Sequence, residues 1–327
     1  MPPLRLEFEI DTYAHDPGFW GASLANNAEF LFGTLDAAGV KSIAEVGAYA
    51  GDLTRLLLRW AEPRGGRVVA IDNDPQPQLA QLADERSDLD LIRGTSLEAL
   101  AAMEPTEAVI LDGDHNWYTV HEELELIARR ADGGPLPLLL FHDVGWPHAR
   151  RDLYYDADRI PEEFRHPSAP GGGLQPGNPG IVAGALPMPG ASARHEGGPR
   201  NGVLTAIEDF VAEHDGLRLA VVPSFFGFGV LWPLDAPYTD AVAAFIDPWD
   251  GNPVLARLEE NRVRHIVGAQ LARSETMGWE HRDRQKEALL RKLLVSKSFD
   301  LAQAISRLRQ RGEPAFSKDE IRALLEG

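Results

Sequence analysis

The stretch Ser42–Gly51, SIAEVGAYAG, constrains the fold more than any other part of the chain. An apolar run ends in an acidic residue, Glu45, and Gly47 and Gly51 open a turn toward TRLLLRW, which has helical apolar spacing. A second apolar run, RVVAI, then ends in Asp72. Strand, glycine turn, helix and a strand tipped by a carboxylate make one nucleotide-binding half of a doubly wound α/β sheet. The glycines allow close backbone approach to a ligand, and the carboxylate can accept hydrogen bonds from ribose hydroxyls.

The glycine spacing narrows the nucleotide. A dinucleotide fingerprint reads G-x-G-x-x-G and cradles a pyrophosphate at a helix N-terminus. Here the glycines stand as Gly47-x-x-x-Gly51, with Glu45 two residues ahead of them. A carboxylate there repels a diphosphate but suits a cationic ligand, by charge pairing or bridging water. The segment resembles motif I of class I S-adenosylmethionine (SAM)-dependent methyltransferases, whose ligand carries a sulfonium, an ammonium and no phosphate. The resemblance implies cofactor contacts at Glu45, Gly47, Ala48, Tyr49 and Gly51, with Asp72 and Asn73 at the ribose. It also implies that Gly94 and Ser96, in IRGTS, lie beside the adenine, with Asp112 close to the cofactor.

The remaining sequence fits this frame. Short apolar runs (SIAEVG, RVVAID, LDLIRG, AVILDGD, PLLLFHD) alternate with helical patterns over 41–145, the rhythm of a parallel sheet covered by helices. LRLAVVPSFFGFGVLWP reads as two strands joined tightly around Pro223–Ser224, like the terminal antiparallel hairpin of a seven-stranded Rossmann-like methyltransferase sheet. The expected organisation is a helical lead-in over 1–40, a SAM-binding domain over 41–245 and a C-terminal helical extension over 246–327. Within the domain, residues 146–201 are rich in Gly and Pro and read as a lid or substrate insertion.

Composition excludes other classes. Zero cysteines rule out disulfides and thiolate chemistry. A net charge of −18 argues against nucleic acid and anionic membrane surfaces as partners. No apolar run approaches a membrane span, and MPPLRLEFEIDTYAHD lacks a signal pattern, so a cytoplasmic protein is expected.

A second chemical cluster follows the fourth and fifth runs. VILDGDHNWYTVHEELE sets Asp112, Asp114 and His115 beyond one strand, and LLLFHDVGWPHARRD sets His142 and Asp143 at the end of the next. In open parallel sheets ligands bind outside the carboxyl ends, near the switch in strand order. Strands one, four and five are therefore expected to bring Glu45, Asp112, His115, His142 and Asp143 to one crevice. Carboxylates with imidazole beside them suit a divalent cation. The arrangement resembles the metal-dependent O-methyltransferases, including natural-product sugar methyltransferases. That resemblance implies His115 as base, Asp112 and Asp143 as ligands of Mg²⁺ or Mn²⁺, and a hydroxyl on a small molecule or sugar as acceptor. His142 stands where the family pattern has a carboxylate, as a ligand favouring softer ions or as a histidine bonded to backbone.

Less specific readings accompany these. Asp114 is expected to cap the helix starting near Asn116, and His121 to pack or face solvent. Trp146, His148, Arg150, Arg151, Tyr154 and Tyr155 are candidates to touch substrate, and Arg200–Asn201 to anchor the insertion. Amphipathic patterns in the C-terminal extension suit packing on a core or self-association into a homo-oligomer. Two other classes stay open: an NAD- or metal-dependent oxidoreductase on the same sheet, and a non-catalytic SAM-binding accessory subunit.

Overall fold

A computed structural model of the 327-residue chain describes residues 21–131, 134–309 and 317–326. The described residues fall into two compact units, one ending at Val267 and one beginning at Gly268.

The first unit opens with a single 3-10 turn at Leu24–Asn27 and a helix, α1 (Ala28–Ala38), which Gly39 terminates in the left-handed conformation. The expected alternation follows: β1 (Ser42–Val46), α2 (Asp52–Ala61), β2 (Arg67–Asp72), α3 (Pro77–Glu85), β3 (Leu89–Arg93), α4 (Ser96–Ala102), β4 (Ala108–Leu111), α5 (Trp117–Arg130) and β5 (Leu138–His142). After the insertion come α6 (Val203–Glu213), β11 (Leu217–Val222), β12 (Phe228–Pro233) and α7 (Thr239–Ile246).

These strands form one seven-stranded sheet in the order β11-β12-β5-β4-β1-β2-β3. The β1–β5 pairings are parallel, whereas β12 runs antiparallel to both β5 and β11. Sequence order reverses between β1 and β4, so the crevice beyond their carboxyl ends is the ligand position for such a sheet. Alternation along each strand supplies two apolar faces. Ile43, Val68 and Ile110 join α1, α2 and α7 in one core layer, and Ala44, Val109 and Phe141 join α5 and α6 in the other.

The Gly- and Pro-rich insertion carries secondary structure of its own. It holds five short strands: β6 (Leu153–Tyr154), β7 (Ser168–Pro170), β8 (Gly173–Leu174), β9 (Leu186–Pro187) and β10 (Ala191–Ala193). They pair as β6-β10-β7 and β8-β9. A buried polar frame substitutes for the large apolar core this composition cannot build. Asp152 accepts hydrogen bonds from the Trp117 amide (2.8 Å), the Gly202 amide (2.7 Å) and the Tyr154 hydroxyl (2.8 Å). Asn201 accepts from the Asp152 amide at 2.8 Å and donates to the His195 and Gly197 carbonyls, confirming it as an anchor.

From Pro253 a 42-residue helix, α8 (Pro253–Leu294), leads into the second unit, where α9 (Lys297–Arg309) and α10 (Lys318–Glu326) follow. The second unit leaves Trp279, Leu289, Val295 and Leu301 exposed. Among the described residues no helix is long and apolar enough to cross a membrane.

Candidate active site

The floor of the crevice is the β1–α2 turn. Gly47 has φ 86°, and a Cβ there would stand 2.1 Å from the Asp112 carbonyl oxygen, so only glycine lets the ends of β1 and β4 meet. Asp72 fixes the rim. Its two oxygens accept hydrogen bonds from the Tyr49 amide (2.7 Å) and the Asp74 amide (2.8 Å), tying the end of β2 to the turn. Asp72 remains partly exposed, as does the Tyr49 ring, while Asn73 is exposed beside them. Ala48 turns its methyl into the core, leaving its backbone as the part that can face a ligand. Gly94 donates its amide to the Asp72 carbonyl at 3.1 Å, and Ser96 begins α4 behind a Thr95–Glu98 capping box.

Glu45 departs from expectation. Alternation sends its side chain to the helix-covered face, where it is 3% exposed and accepts a 2.6 Å hydrogen bond from Thr54 of α2. Burial, reinforced by the carboxylates of Asp112 and Asp72, pushes its pKa up to about 8. Instead of an ionised partner for a cationic ligand, β1 carries a neutral, hydrogen-bonded carboxyl beneath the crevice.

The ends of β4 and β5 bring the second cluster together as expected. The Asp112 amide donates to the Val46 carbonyl at 3.0 Å, which places its side chain at the switch point. Asp143 follows β5 with φ 55°, a left-handed conformation that non-glycine residues rarely adopt and that recurs at functional sites. His115 Nε2 lies 3.1 Å from Asp143 Oδ2 and 3.7 Å from Asp112 Oδ1, yet is not aligned for a hydrogen bond with either. His142 Nδ1 lies 3.1 Å from Asp112 Oδ1 and 3.3 Å from Asp143 Oδ2. Its Nε2–H donates to the Phe225 carbonyl at 2.8 Å, so His142 is bonded to backbone through one nitrogen and turns the other toward the carboxylates.

The electrostatics follow from burial and proximity. Burial opposes charge on both imidazoles, but the paired carboxylates outweigh it. They raise the pKa of His115 and lift that of His142 well above the usual histidine value. Burial works against Asp143 in the same way, and the imidazoles overcome it, holding its carboxyl far below the ordinary range. His148 stacks on His115 with centroids 4.9 Å apart. Burial first, and then His115, push the pKa of His148 down to about 4, so it is neutral near pH 7. The Tyr155 hydroxyl is 3.2 Å from His115 Nδ1, and that ring is half exposed.

Other expectations are corrected. Asn116, not Asp114, caps α5 by accepting from the Thr119 amide at 2.9 Å; Asp114 accepts from the Thr119 hydroxyl at 3.2 Å. Arg150 pairs with Glu208 of α6, while Arg151, buried, donates to the Ala193 and Pro179 carbonyls. Tyr154 is buried on Asp152, so of the proposed substrate contacts these three are framework. Trp146 buries its indole N–H. His121 packs, stacked on Trp117.

Two contributors escaped the sequence reading. The turn after β11 offers the Phe225 carbonyl to His142, and Glu259 of α8 holds that turn by accepting from the Phe225 and Phe226 amides at 3.1 and 2.8 Å. Arg262 braces Glu259 at 2.6 Å and lies over both phenylalanine rings. These partners are 83 and 34 residues apart in sequence, and no local pattern signals such pairs.

Residues 44–144 match the model of a family described as a methyltransferase domain. Over these residues the chain is similar to methyltransferase domains. The matched stretch runs from β1 to just past β5 and holds Asp72, Asp112, His115, His142 and Asp143. No curated protein matches the sequence. Among solved structures, the chain is similar to an S-adenosylhomocysteine-bound methyltransferase of Podospora anserina, with 14% identity over 65% of this chain and 80% of that one, at a TM-score of 0.40. It is similar to a putative caffeoyl-CoA O-methyltransferase from Staphylococcus aureus, with 12% identity, 64% and 83% coverage, and a TM-score of 0.40. It is also similar to the O-methyltransferase TomG of Streptomyces achromogenes, involved in tomaymycin synthesis, with 14% identity, 65% and 82% coverage, and a TM-score of 0.40.

Proposed function

We propose that this protein is a class I SAM-dependent methyltransferase that transfers a methyl group to a hydroxyl oxygen on a small molecule or sugar, assisted by a divalent cation. One observation carries the reading. Donor atoms of Asp112, His115 and Asp143 lie within 4.8 Å of one another at the switch point, beside the SAM-binding turn.

The residues fit a cation. Two carboxylates converge on imidazole nitrogens, and His115 Nε2 is buried without an aligned hydrogen-bond partner. Asp112, Asp143 and His142 Nδ1 would hold Mg²⁺ or Mn²⁺, with the Nε2–H of His142 kept on the Phe225 carbonyl. When bound, the cation lowers the pKa of the acceptor hydroxyl and orients its oxygen.

The carboxylates of Asp143 and Asp112 favour the protonated form of His115, which works against its acting as base. In the neutral form of His115 with the Nδ1–H on the Tyr155 oxygen, Nε2 carries the lone pair. Nε2 takes the hydroxyl proton as the acceptor oxygen bonds to the methyl carbon and the methyl–sulfur bond breaks. His148, neutral and stacked on the ring, keeps His115 in place. The exposed faces of Tyr49 and Tyr155 suit a ring-shaped acceptor.

Calorimetric titration of EDTA-treated protein with SAM, S-adenosylhomocysteine and NAD(H), with and without Mg²⁺ or Mn²⁺, tests the reading. Binding of the adenosyl ligands alone, and a metal response lost in Asp112→Asn/Asp143→Asn, are expected. A metal response that survives the double substitution sinks the metal assignment. The closeness of His115 Nε2 to both carboxylates favours a second reading, His115 as ligand rather than base. His115→Ala separates the two: a base leaves Mn²⁺ affinity intact, and a ligand does not.

A further inference from the structure

A second cluster of metal-ligating side chains lies where α5 meets the end of α6. His121 and Glu125 are four residues apart on α5 and so share one helix face. Glu213 ends α6, and His214 follows it. His121 Nε2 is 3.5 Å from a Glu213 carboxylate oxygen, and His214 Nε2 is 3.6 Å from Glu125 Oε1. Donor atoms of His121, Glu125 and Glu213 all lie within 4.8 Å of one another. Four tetrahedral donors at zinc-ligand distances are about 3.3 Å apart. The two measured separations are close to that value, so His121, Glu125 and Glu213 need only small side-chain adjustments to receive an ion, while His214 stands outside that three-residue group, beside Glu125.

The surroundings prepare both imidazoles. His214 Nδ1–H donates to the Phe210 carbonyl at 3.0 Å, leaving the Nε2 lone pair toward Glu125. Such an outer hydrogen bond sets the tautomer of metal-binding histidines. His121 is stacked on Trp117 at 4.5 Å, and the Trp117 indole is itself tied to Asp209 of α6 at 2.8 Å. His121 Nε2 is a buried atom with no hydrogen-bond partner among the described residues. Arg129 stands 3.7 Å from Glu125 Oε2, the oxygen that does not face His214.

We propose that His121, Glu125 and Glu213 bind one divalent transition-metal ion, that His214 swings in from beside Glu125 as the fourth ligand, and that zinc fits the donor set best. Two imidazoles and two carboxylates match the ligand types zinc takes and neutralise its charge. The ion clamps the end of α6 to α5 and takes no part in methyl transfer.

Tag-free, chelator-treated Asp112→Asn/Asp143→Asn protein, in which the crevice cluster is disabled, is titrated calorimetrically with zinc chloride. One bound equivalent and a rise in Tm are expected. Adding Glu213→Gln and His214→Gln, which lie at the more exposed end, should weaken zinc binding at least about tenfold and abolish the Tm rise. The same pair of substitutions in otherwise wild-type protein should remove one zinc equivalent, which keeps the test valid if the crevice variant folds poorly. Zinc binding that is absent from the crevice variant, or unchanged by Glu213→Gln/His214→Gln, overturns the proposal and leaves the four residues as two ion pairs.

Discussion

Asp143 and Asp152 are both buried aspartates, nine residues apart, and they do opposite things. Asp152 is saturated: two amides and a tyrosine hydroxyl occupy its oxygens, and the strands and helices around it are held in register as a result. Asp143 faces two imidazoles across 3.1 and 3.3 Å on a strained backbone, with one of those imidazoles poorly aligned to it. A satisfied buried polar group specifies structure, because removing it strands its partners in a medium that cannot replace them. A group whose neighbours are charged and incompletely bonded holds capacity for something that arrives later. The crevice and the insertion frame thus differ in spare hydrogen-bonding capacity more than in residue type.

The contrast can be broken from either side. Asp152→Ala should have the largest effect, a loss of about 3–5 kcal/mol, because the Trp117 and Gly202 amides and the Tyr154 hydroxyl lose their partner together. Chemical denaturation measures it, and a loss below about 1 kcal/mol would mean that the frame is not what holds the insertion. His115→Ala should behave oppositely, cutting turnover about 10²–10⁴-fold while stability and SAM affinity hold. Near-normal turnover on a verified acceptor would remove it as the base.

Glu45→Gln probes the layer between the two. A carboxyl with its folded pKa at about 8 binds a proton that the unfolded chain releases near 4.5, so its contribution to stability falls as pH rises between those values. The glutamine variant should therefore match wild type near pH 4 and exceed it by about 3 kcal/mol at pH 7. Parallel denaturation midpoints across that range would contradict a buried neutral carboxyl. The smallest effect is expected from Tyr155→Phe, a few-fold loss in turnover, because the hydroxyl only orients His115 Nδ1. A loss as large as that of His115→Ala would make Tyr155 a participant in proton transfer.

Much of this molecule was legible before folding was considered. Hydrophobic runs of strand length, helical spacing between them and the Gly47–Gly51 turn specify a doubly wound sheet, because those periodicities reflect the backbone itself. Once the sheet is granted, Asp72, Asp112, His115, His142 and Asp143 must sit at strand ends, and strand ends on one edge must converge. The reading failed where partners are distant in sequence or where a side chain's face mattered. Glu45 stands one residue from the end of β1, and alternation alone turned it toward Thr54 instead of the crevice. Arg150, Arg151 and Tyr154 have the chemistry of substrate contacts, and only their tertiary partners, Glu208 for Arg150, carbonyls 28 and 42 residues away for Arg151 and the buried Asp152 for Tyr154, made them framework.

The sequence by itself determined the sheet, the location of the nucleotide turn and the inventory of chemical groups at the crevice, since each follows from local periodicity and spacing. Tertiary structure decided which of those groups carry charge and which have spare capacity. Burial, the Phe225 carbonyl brought in by a later hairpin and the Glu259 side chain beneath it set those properties, and each depends on atoms that are neighbours only after the chain has folded.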